Sequence, residues 1–170
     1  MNKKGEAYFI LNRYDNIDYK PSISRGIIIK QILDGQSIND IKLEKIAPFI
    51  LISLSENYLT EHNWNGKVLT KQQHEVTNFF ITSSSEDEEN VRQWRKEKYL
   101  EWLNNKKPYK NELPEYNLLC KKGYENYSPL VLRDKTKTKS ICQIILAEKI
   151  TFKYFPNPFD NKQASSIKIS

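Results

Sequence analysis

The chain has little of what builds disulfide frameworks, membrane spans or secretion signals. Its two cysteines, Cys120 and Cys142, are too few for a disulfide framework and fit ordinary buried thiols in a reducing compartment. The longest apolar runs, 27–33 and 46–54, are each broken by a polar residue and fall short of the roughly 18 residues of a membrane span. The N-terminus has no apolar stretch typical of a signal peptide. We therefore expect a cytoplasmic globular protein without a membrane partner.

Several catalytic signatures are also missing from the sequence. It contains neither GxxxxGK[ST] nor GxGxxG, the glycine motifs that hold nucleotide phosphates. It also lacks the GxSxG motif of serine hydrolases and a reactive-cysteine signature. The sequence therefore predicts no cofactor and no catalytic residue, and it favours a protein that binds over one that catalyses.

Metal-dependent catalysis stays open as one alternative, a small nuclease. The stretch EHNWNGKVLTKQQHE contains the only two histidines, His62 and His74, and resembles the His-Asn-His nucleases in residue types alone. Asp40 and Glu44 are a second candidate set, although their spacing also fits one face of a helix. Neither set has the ligand spacing of a structural zinc site, so no metal is predicted.

Aromatic and basic residues are what the chain has in quantity. Ten Tyr, seven Phe and three Trp argue against intrinsic disorder. The net charge of +6 is uneven: residues 91–170 hold seventeen Lys and Arg against eight Asp and Glu, whereas residues 1–85 are nearly balanced. Such an excess attracts polyanions. The alternative is a lysine-rich, solvated surface that reflects the codon composition of the gene.

The order of patterns predicts an α+β fold: an N-terminal strand, a helical middle and a C-terminal antiparallel β meander. One globular domain is expected over residues 1–160, and a frayed polar tail over 161–170. The strand is the apolar run Ala7–Leu11, and we expect it to join the C-terminal sheet. The meander is predicted from three β-favouring runs, at 128–134, 140–146 and 149–155.

Four helices are predicted before residue 85, each from a residue that is common at helix starts. They follow Ser24, Ser37, Pro48 and Thr70. Gly35 stands where the first of them would end, and Asn65-Gly66 predicts a turn.

The clearest helix prediction covers residues 86–106. Ser85 and Glu88 have the spacing of a capping box, in which each side chain bonds the other's backbone N–H. Acidic residues fill the first turn, Lys106 and Lys107 stand in the last, and Pro108 ends the helix. Both ends therefore complement the helix dipole.

Cations share the apolar face of this helix. Placed at about 100° per residue, two tryptophans and a tyrosine lie beside an arginine and a lysine. The helix either docks on its own core, with the cations reaching outward, or presents a surface to a partner. The candidate binding residues are Arg92, Trp94, Arg95, Lys98, Tyr99 and Trp102.

The stretch RDKTKTKS supplies a second set of candidate binding residues, Arg133, Lys135, Lys137 and Lys139. If the segment is extended, the three lysines project from one side and can neutralise phosphates. The alternative is a solvated hairpin tip or a lysine-protected edge strand.

Together these patterns favour a non-catalytic binding protein with a basic, aromatic C-terminal surface for nucleic acid, DNA or RNA, or for a nucleoprotein complex. The same residue types also favour a protein-interaction module, a subunit or inhibitor that docks by its 85–107 helix, because aromatics and arginine dominate interface hot spots.

Overall fold

The computed structural model divides the chain into two compact units, unit 1 (Met1–Glu88) and unit 2 (Glu89–Ser170). That residues 1–160 form one domain stays a prediction. The residues that the structure describes are 6–15, 17–55, 57–75, 79–85, 87–105, 115–133, 136–145, 150–159 and 165–169.

Unit 1 contains a four-stranded antiparallel sheet in the order β1-β2-β3-β4. The strands are β1 (Ala7–Asn12), β2 (Phe49–Leu54), β3 (Tyr58–Trp64) and β4 (Leu69–Glu75). The predicted N-terminal strand is confirmed, but its predicted place in the C-terminal sheet is wrong. β1 pairs with β2 along its whole length instead, from Ala7 opposite Leu54 to Asn12 opposite Phe49.

Helix α1 (Gly26–Leu33) confirms the helix predicted after Ser24. The Ser24 hydroxyl accepts a hydrogen bond of 3.3 Å from the N–H of Gly26, an otherwise unpaired donor at the helix start. At the other end Gly35 has φ +97°, and the N–H of Gln36 donates to the carbonyl of Gln31 at 2.9 Å. Both bonds satisfy helix-end groups, but the predicted cap is wrong: the N-cap of α1 is Arg25, whose side chain makes no capping hydrogen bond.

The other three helices predicted before residue 85 are wrong. Ser37 caps only a short 3-10 helix, Ile38–Asp40, by accepting from Asn39 N–H. The segments after Pro48 and Thr70 are β2, β3 and β4. β2 is buried on both faces and therefore reads as a continuous apolar run, which sequence periodicity cannot distinguish from a buried helix.

Apolar side chains pack on both faces of this sheet. Phe49 and Leu51 contribute to a buried cluster that also contains residues of α1, such as Ile28. Ile50 and Ile52 point to the opposite face and belong to a second cluster there. Residues of the segment 79–85 pack against this second cluster. The alternation along β2 thus places one core layer on each face.

A tight turn joins β3 to β4, as the Asn65-Gly66 pair predicts. The Asn65 side-chain oxygen accepts from the N–H groups of Lys67 and Val68, at 2.9 and 2.8 Å. Gly66 has φ +96°, a conformation that side chains disfavour.

Helix α2 (Glu88–Asn105), which lies in unit 2 except for its first residue, confirms the helix predicted near 86–106. After a 3-10 helix at Glu115–Leu118, the chain enters a second antiparallel sheet in the order β5-β6-β7. Its strands are β5 (Ser140–Ile145), β6 (Ile150–Pro156) and β7 (Ser165–Ile169). The C-terminal meander is therefore confirmed, and part of the predicted tail is a strand.

The first predicted strand of that meander, 128–134, is not one of its strands. Residues 128–130 form a bend, and the only described pairing nearby is a single bridge between Leu132 and Lys137. The α+β class is confirmed by the two sheets and two helices. Among the described residues, no helix is both long enough and apolar enough to cross a membrane.

Candidate functional site

A hydrogen-bonded loop of residues 121–128, called here the tyrosine loop, lies between α2 and β5 in the chain. The Tyr124 N–H donates to the carbonyl of Lys121 at 2.9 Å, and the Ser128 hydroxyl donates to the carbonyl of Tyr124 at 2.8 Å. That hydroxyl also accepts from the Lys121 N–H at 2.9 Å, and Gly123 has φ +80°. Ser128 is fully buried, so the loop closes on its own internal bonds.

Two arginines attach the tyrosine loop to its neighbours. Arg95 of α2 donates from Nε to the carbonyl of Tyr127 at 2.7 Å and from Nη2 to the carbonyl of Ser128 at 3.1 Å. Arg133 donates from Nη2 to the carbonyl of Asn126 at 3.0 Å. Three consecutive carbonyl oxygens thus accept from guanidinium groups. Arg95 and Arg133, both predicted as binding residues for a partner, bind this loop in the structure.

The environment of Arg95 is that of an internal cation. Only 5% of the residue is exposed. Burial lowers the pKa of Arg95, while Tyr116 opposes this shift and the nearby Arg133 adds to it. The Tyr116 hydroxyl also donates to the backbone carbonyl of Arg95 at 3.1 Å. An arginine keeps its proton under such conditions, so the charged guanidinium connects α2 to the tyrosine loop by charge-assisted hydrogen bonds.

Aromatic rings gather where α2 meets the tyrosine loop. The ring of Trp94 stacks on Tyr124, with a centroid distance of 5.6 Å and an interplanar angle of 15°. Tyr127 contacts both rings edge-on, at 6.3 and 6.2 Å. The Lys121 ammonium lies over the Tyr124 ring, 4.9 Å from its centroid. Tyr124 is 43% exposed, so this aromatic group reaches the surface.

Further along α2, the aromatic residues pack on their own chain. Tyr99 contacts Tyr116 edge-on at 5.5 Å and Trp102 at 6.0 Å. Burial raises the pKa of Tyr99. Lys98 forms an ion pair of 2.7 Å with Glu101. This part of α2 therefore resembles the first alternative, a helix docked on its own core.

The basic stretch forms a short hairpin. Arg133 and Thr136 exchange backbone hydrogen bonds of 2.8 and 3.3 Å, and the Thr138 hydroxyl accepts from the Val131 N–H at 2.9 Å. Lys137 forms a single bridge with Leu132, and both Lys137 and Lys139 are exposed. Lys135 lies outside the described residues, so the predicted alignment of three lysines stays a prediction.

Sequence reasoning missed the tyrosine loop, although it joins the two stretches that were predicted. Its sequence, KKGYENYS, contains a lysine pair, a turn-forming glycine and two tyrosines. Lys121, Lys122 and Tyr124 are all exposed. Arg92 of α2 is exposed as well, so the surface of unit 2 includes predicted and unpredicted cations.

The nuclease candidates do not come together in unit 1. His62 lies on the face of β3 that carries Trp64, whereas His74 is opposite Leu59 and therefore on the other face. The nitrogen Nε2 of His74 is 3.1 Å from the carboxylate of Glu61. In the described part of the chain, no group of three or more His, Cys, Asp and Glu residues could hold a metal ion.

The remaining candidates from the sequence are the pair Asp40 and Glu44 and the two cysteines. Asp40 ends the 3-10 helix and Glu44 follows it, so the two do not share a helix face. Cys120 is half-buried and Cys142 is exposed, both as free thiols. The prediction of buried thiols is therefore wrong for Cys142, because its strand turns that side chain outward.

The chain matches no protein-family model, no curated protein and no solved structure.

Proposed function

We propose that the protein binds nucleic acid, alone or within a nucleoprotein complex, through the surface formed by the tyrosine loop and the basic hairpin. The observation that carries the proposal is the exposed Tyr124 ring, stacked on Trp94 with a lysine ammonium over it. Aromatic rings beside cations are the combination that single-strand and backbone-binding surfaces use.

The charge of this region supports the proposal. Lys121 and Lys122 on the loop and Lys137 and Lys139 on the hairpin are exposed. Exposed ammonium groups can displace the counterions condensed on a phosphate backbone, which gives affinity without sequence preference. The Thr136 hydroxyl, also exposed, is a further group of the kind that contacts phosphates.

The roles of the predicted residues divide accordingly. Arg92, Lys137 and Lys139 are proposed to contact phosphates, with Lys135, a neighbour in the sequence, as a fourth. Trp94 supports the stacking ring of Tyr124. Arg95 and Arg133 hold the loop in place through its carbonyl groups, so their contribution to binding is indirect.

Fluorescence anisotropy with labelled single-stranded and duplex DNA and RNA tests the proposal. Affinity should fall steeply between about 50 and 300 mM salt, because bound phosphates release counterions. Absence of binding to all four ligands at the lowest salt concentration would overturn it.

The protein-interaction alternative has one observation in its favour. Leu100 of α2 is 44% exposed, on a helix whose aromatic residues are half-buried. A partner that docks on this leucine would bind mainly through apolar contact, so its affinity would change little with salt. A cytoplasmic location is proposed with either function.

A further inference from the structure

We infer that Tyr124 is a stacking site for one unpaired base, so that the ligand of unit 2 is single-stranded rather than duplex nucleic acid. This inference rests on the proposed function and names its ligand class. A base within a duplex has both faces covered by its neighbours, and only an unpaired base offers a face to a protein ring.

The backbone and the ring of Tyr124 are both held by contacts within unit 2. Its carbonyl oxygen accepts three hydrogen bonds, from the N–H of Tyr127 at 3.0 Å and from the N–H and hydroxyl of Ser128 at 2.9 and 2.8 Å. Its side chain is held by the stacked ring of Trp94. A ring that is already ordered loses little conformational entropy when a ligand stacks on it.

The ring of Tyr124 is also held at the surface of unit 2. Hydrophobic burial would draw an aromatic ring inward, yet Tyr124 remains 43% exposed while Tyr116 in the same unit is 8% exposed. The loop bonds and the φ of +80° at Gly123 fix the backbone in the shape that keeps Tyr124 outside. A ring that is exposed and held in place can serve as a surface on which a base stacks.

Lys121 lies next to the exposed ring of Tyr124. Its ammonium lies over the Tyr124 ring, where the face of the ring attracts a cation. A base that stacks on the ring would take this place, and the displaced ammonium would be within a side chain's length of that nucleotide's phosphate. The pair would thereby contact both parts of a single nucleotide.

Binding of the full-length chain to a short single-stranded oligonucleotide, to its duplex and to an abasic strand of the same length tests this inference. The abasic strand keeps every phosphate and lacks the bases. The unmodified protein should bind the normal strand about 5- to 100-fold more tightly than the abasic one, the contribution of one stacked base.

Two variants of Tyr124 and one matched control sharpen the test. Tyr124→Ala should remove the preference for the normal strand, and Tyr124→Phe should keep it, because phenylalanine retains the π-face. Tyr14→Ala, which removes a tyrosine of similar exposure (45%) from unit 1, should keep it too. The salt slope should be equal in all three, since none changes a charge.

Equal affinity of the unmodified protein for normal and abasic strands, with a steep salt dependence for both, would overturn the stacking site and leave the proposed function intact. Equal or tighter binding of the duplex would overturn the choice of single strands. Failure of the protein to bind any of the three at low salt would overturn the proposed function itself.

Discussion

The guanidinium of Arg95 donates a hydrogen bond of 3.1 Å to the carbonyl oxygen of Ser128, a residue 33 positions further along the chain. This contact, with the bond from Nε to the carbonyl of Tyr127, connects α2 to the tyrosine loop. It explains why a cation stands on the buried side of an aromatic helix. The loop turns its carbonyl groups inward, and a buried carbonyl needs a donor.

Replacement of Arg95 by alanine should lower the free energy of unfolding by about 2–4 kcal/mol, because it removes charge-assisted hydrogen bonds and leaves buried carbonyl groups without donors. Urea unfolding followed by tryptophan fluorescence measures this difference. Lys96→Ala, at an exposed position of the same helix, is the control and should change stability by no more than about 0.5 kcal/mol. Similar losses of unfolding free energy in the two variants would show that the hydrogen bonds of Arg95 to the tyrosine loop do not stabilise the fold.

Charge reversal on the basic hairpin should weaken nucleic-acid binding about equally for all sequences. The triple variant Lys135→Glu, Lys137→Glu, Lys139→Glu should reduce the slope of log affinity against log salt by roughly 2–3, about one for each lost phosphate contact. Anisotropy titrations at several salt concentrations measure that slope.

The control for the hairpin variant reverses three exposed lysines of unit 1, Lys30, Lys42 and Lys45. Both triple variants change the net charge by the same amount, so a difference between them reports position rather than total charge. Unchanged binding by the hairpin variant, or equal weakening by the control, would remove the hairpin from the binding surface.

Gly66→Ala should destabilise unit 1 by more than Gly35→Ala. Both glycines have positive φ, +96° and +97°, and share that cost of roughly 1 kcal/mol. An added Cβ at Gly66 would lie 2.5 Å from the side chain of Ile17, whereas at Gly35 it would meet nothing within 4 Å. Thermal unfolding of the two variants isolates the steric term, and equal melting temperatures would show that Ile17 moves aside freely.

The stability of unit 1 should fall as the pH drops below about 6.5, owing to His62. Burial lowers the pKa of His62 below its ordinary value of 6.5, and the nearby Lys71 adds to the shift. The neutral form is therefore favoured in the folded state. The contribution of His62 to the free energy of unfolding is complete above the pKa that this residue has in the unfolded chain. It is lost as the pH falls through the lower pKa of His62 in the folded protein.

Two measurements check the role of His62. Proton NMR should show one histidine that titrates below 6.5, and it should be absent in His62→Gln. The same variant should lose this component of the acid destabilisation, while His74→Gln should retain it. A pH dependence of unfolding that is identical in His62→Gln and the unmodified protein would contradict the assignment.

Local residues determined part of this protein before any tertiary contact formed. Gly35, at φ +97°, stands just after the end of α1, and the side chain of Asn65 organises the β3–β4 turn. The acid-rich start of the segment near 86–106 predicts α2 in the same way. The signals for these elements lie within a few residues of each other, so a single sequence is sufficient to find them.

Tertiary structure decided the rest. The run FILISL became β2 because apolar clusters cover both of its faces, and that requires α1 and the segment 79–85, which are distant in sequence. In unit 2, the partners of the α2 side chains lie about thirty residues away. Arg95 reaches the Ser128 carbonyl, and Trp94 reaches the ring of Tyr124. The helical pattern shows which side chains share a face, but burial and hydrogen bonding with distant residues decide whether that face becomes core or surface.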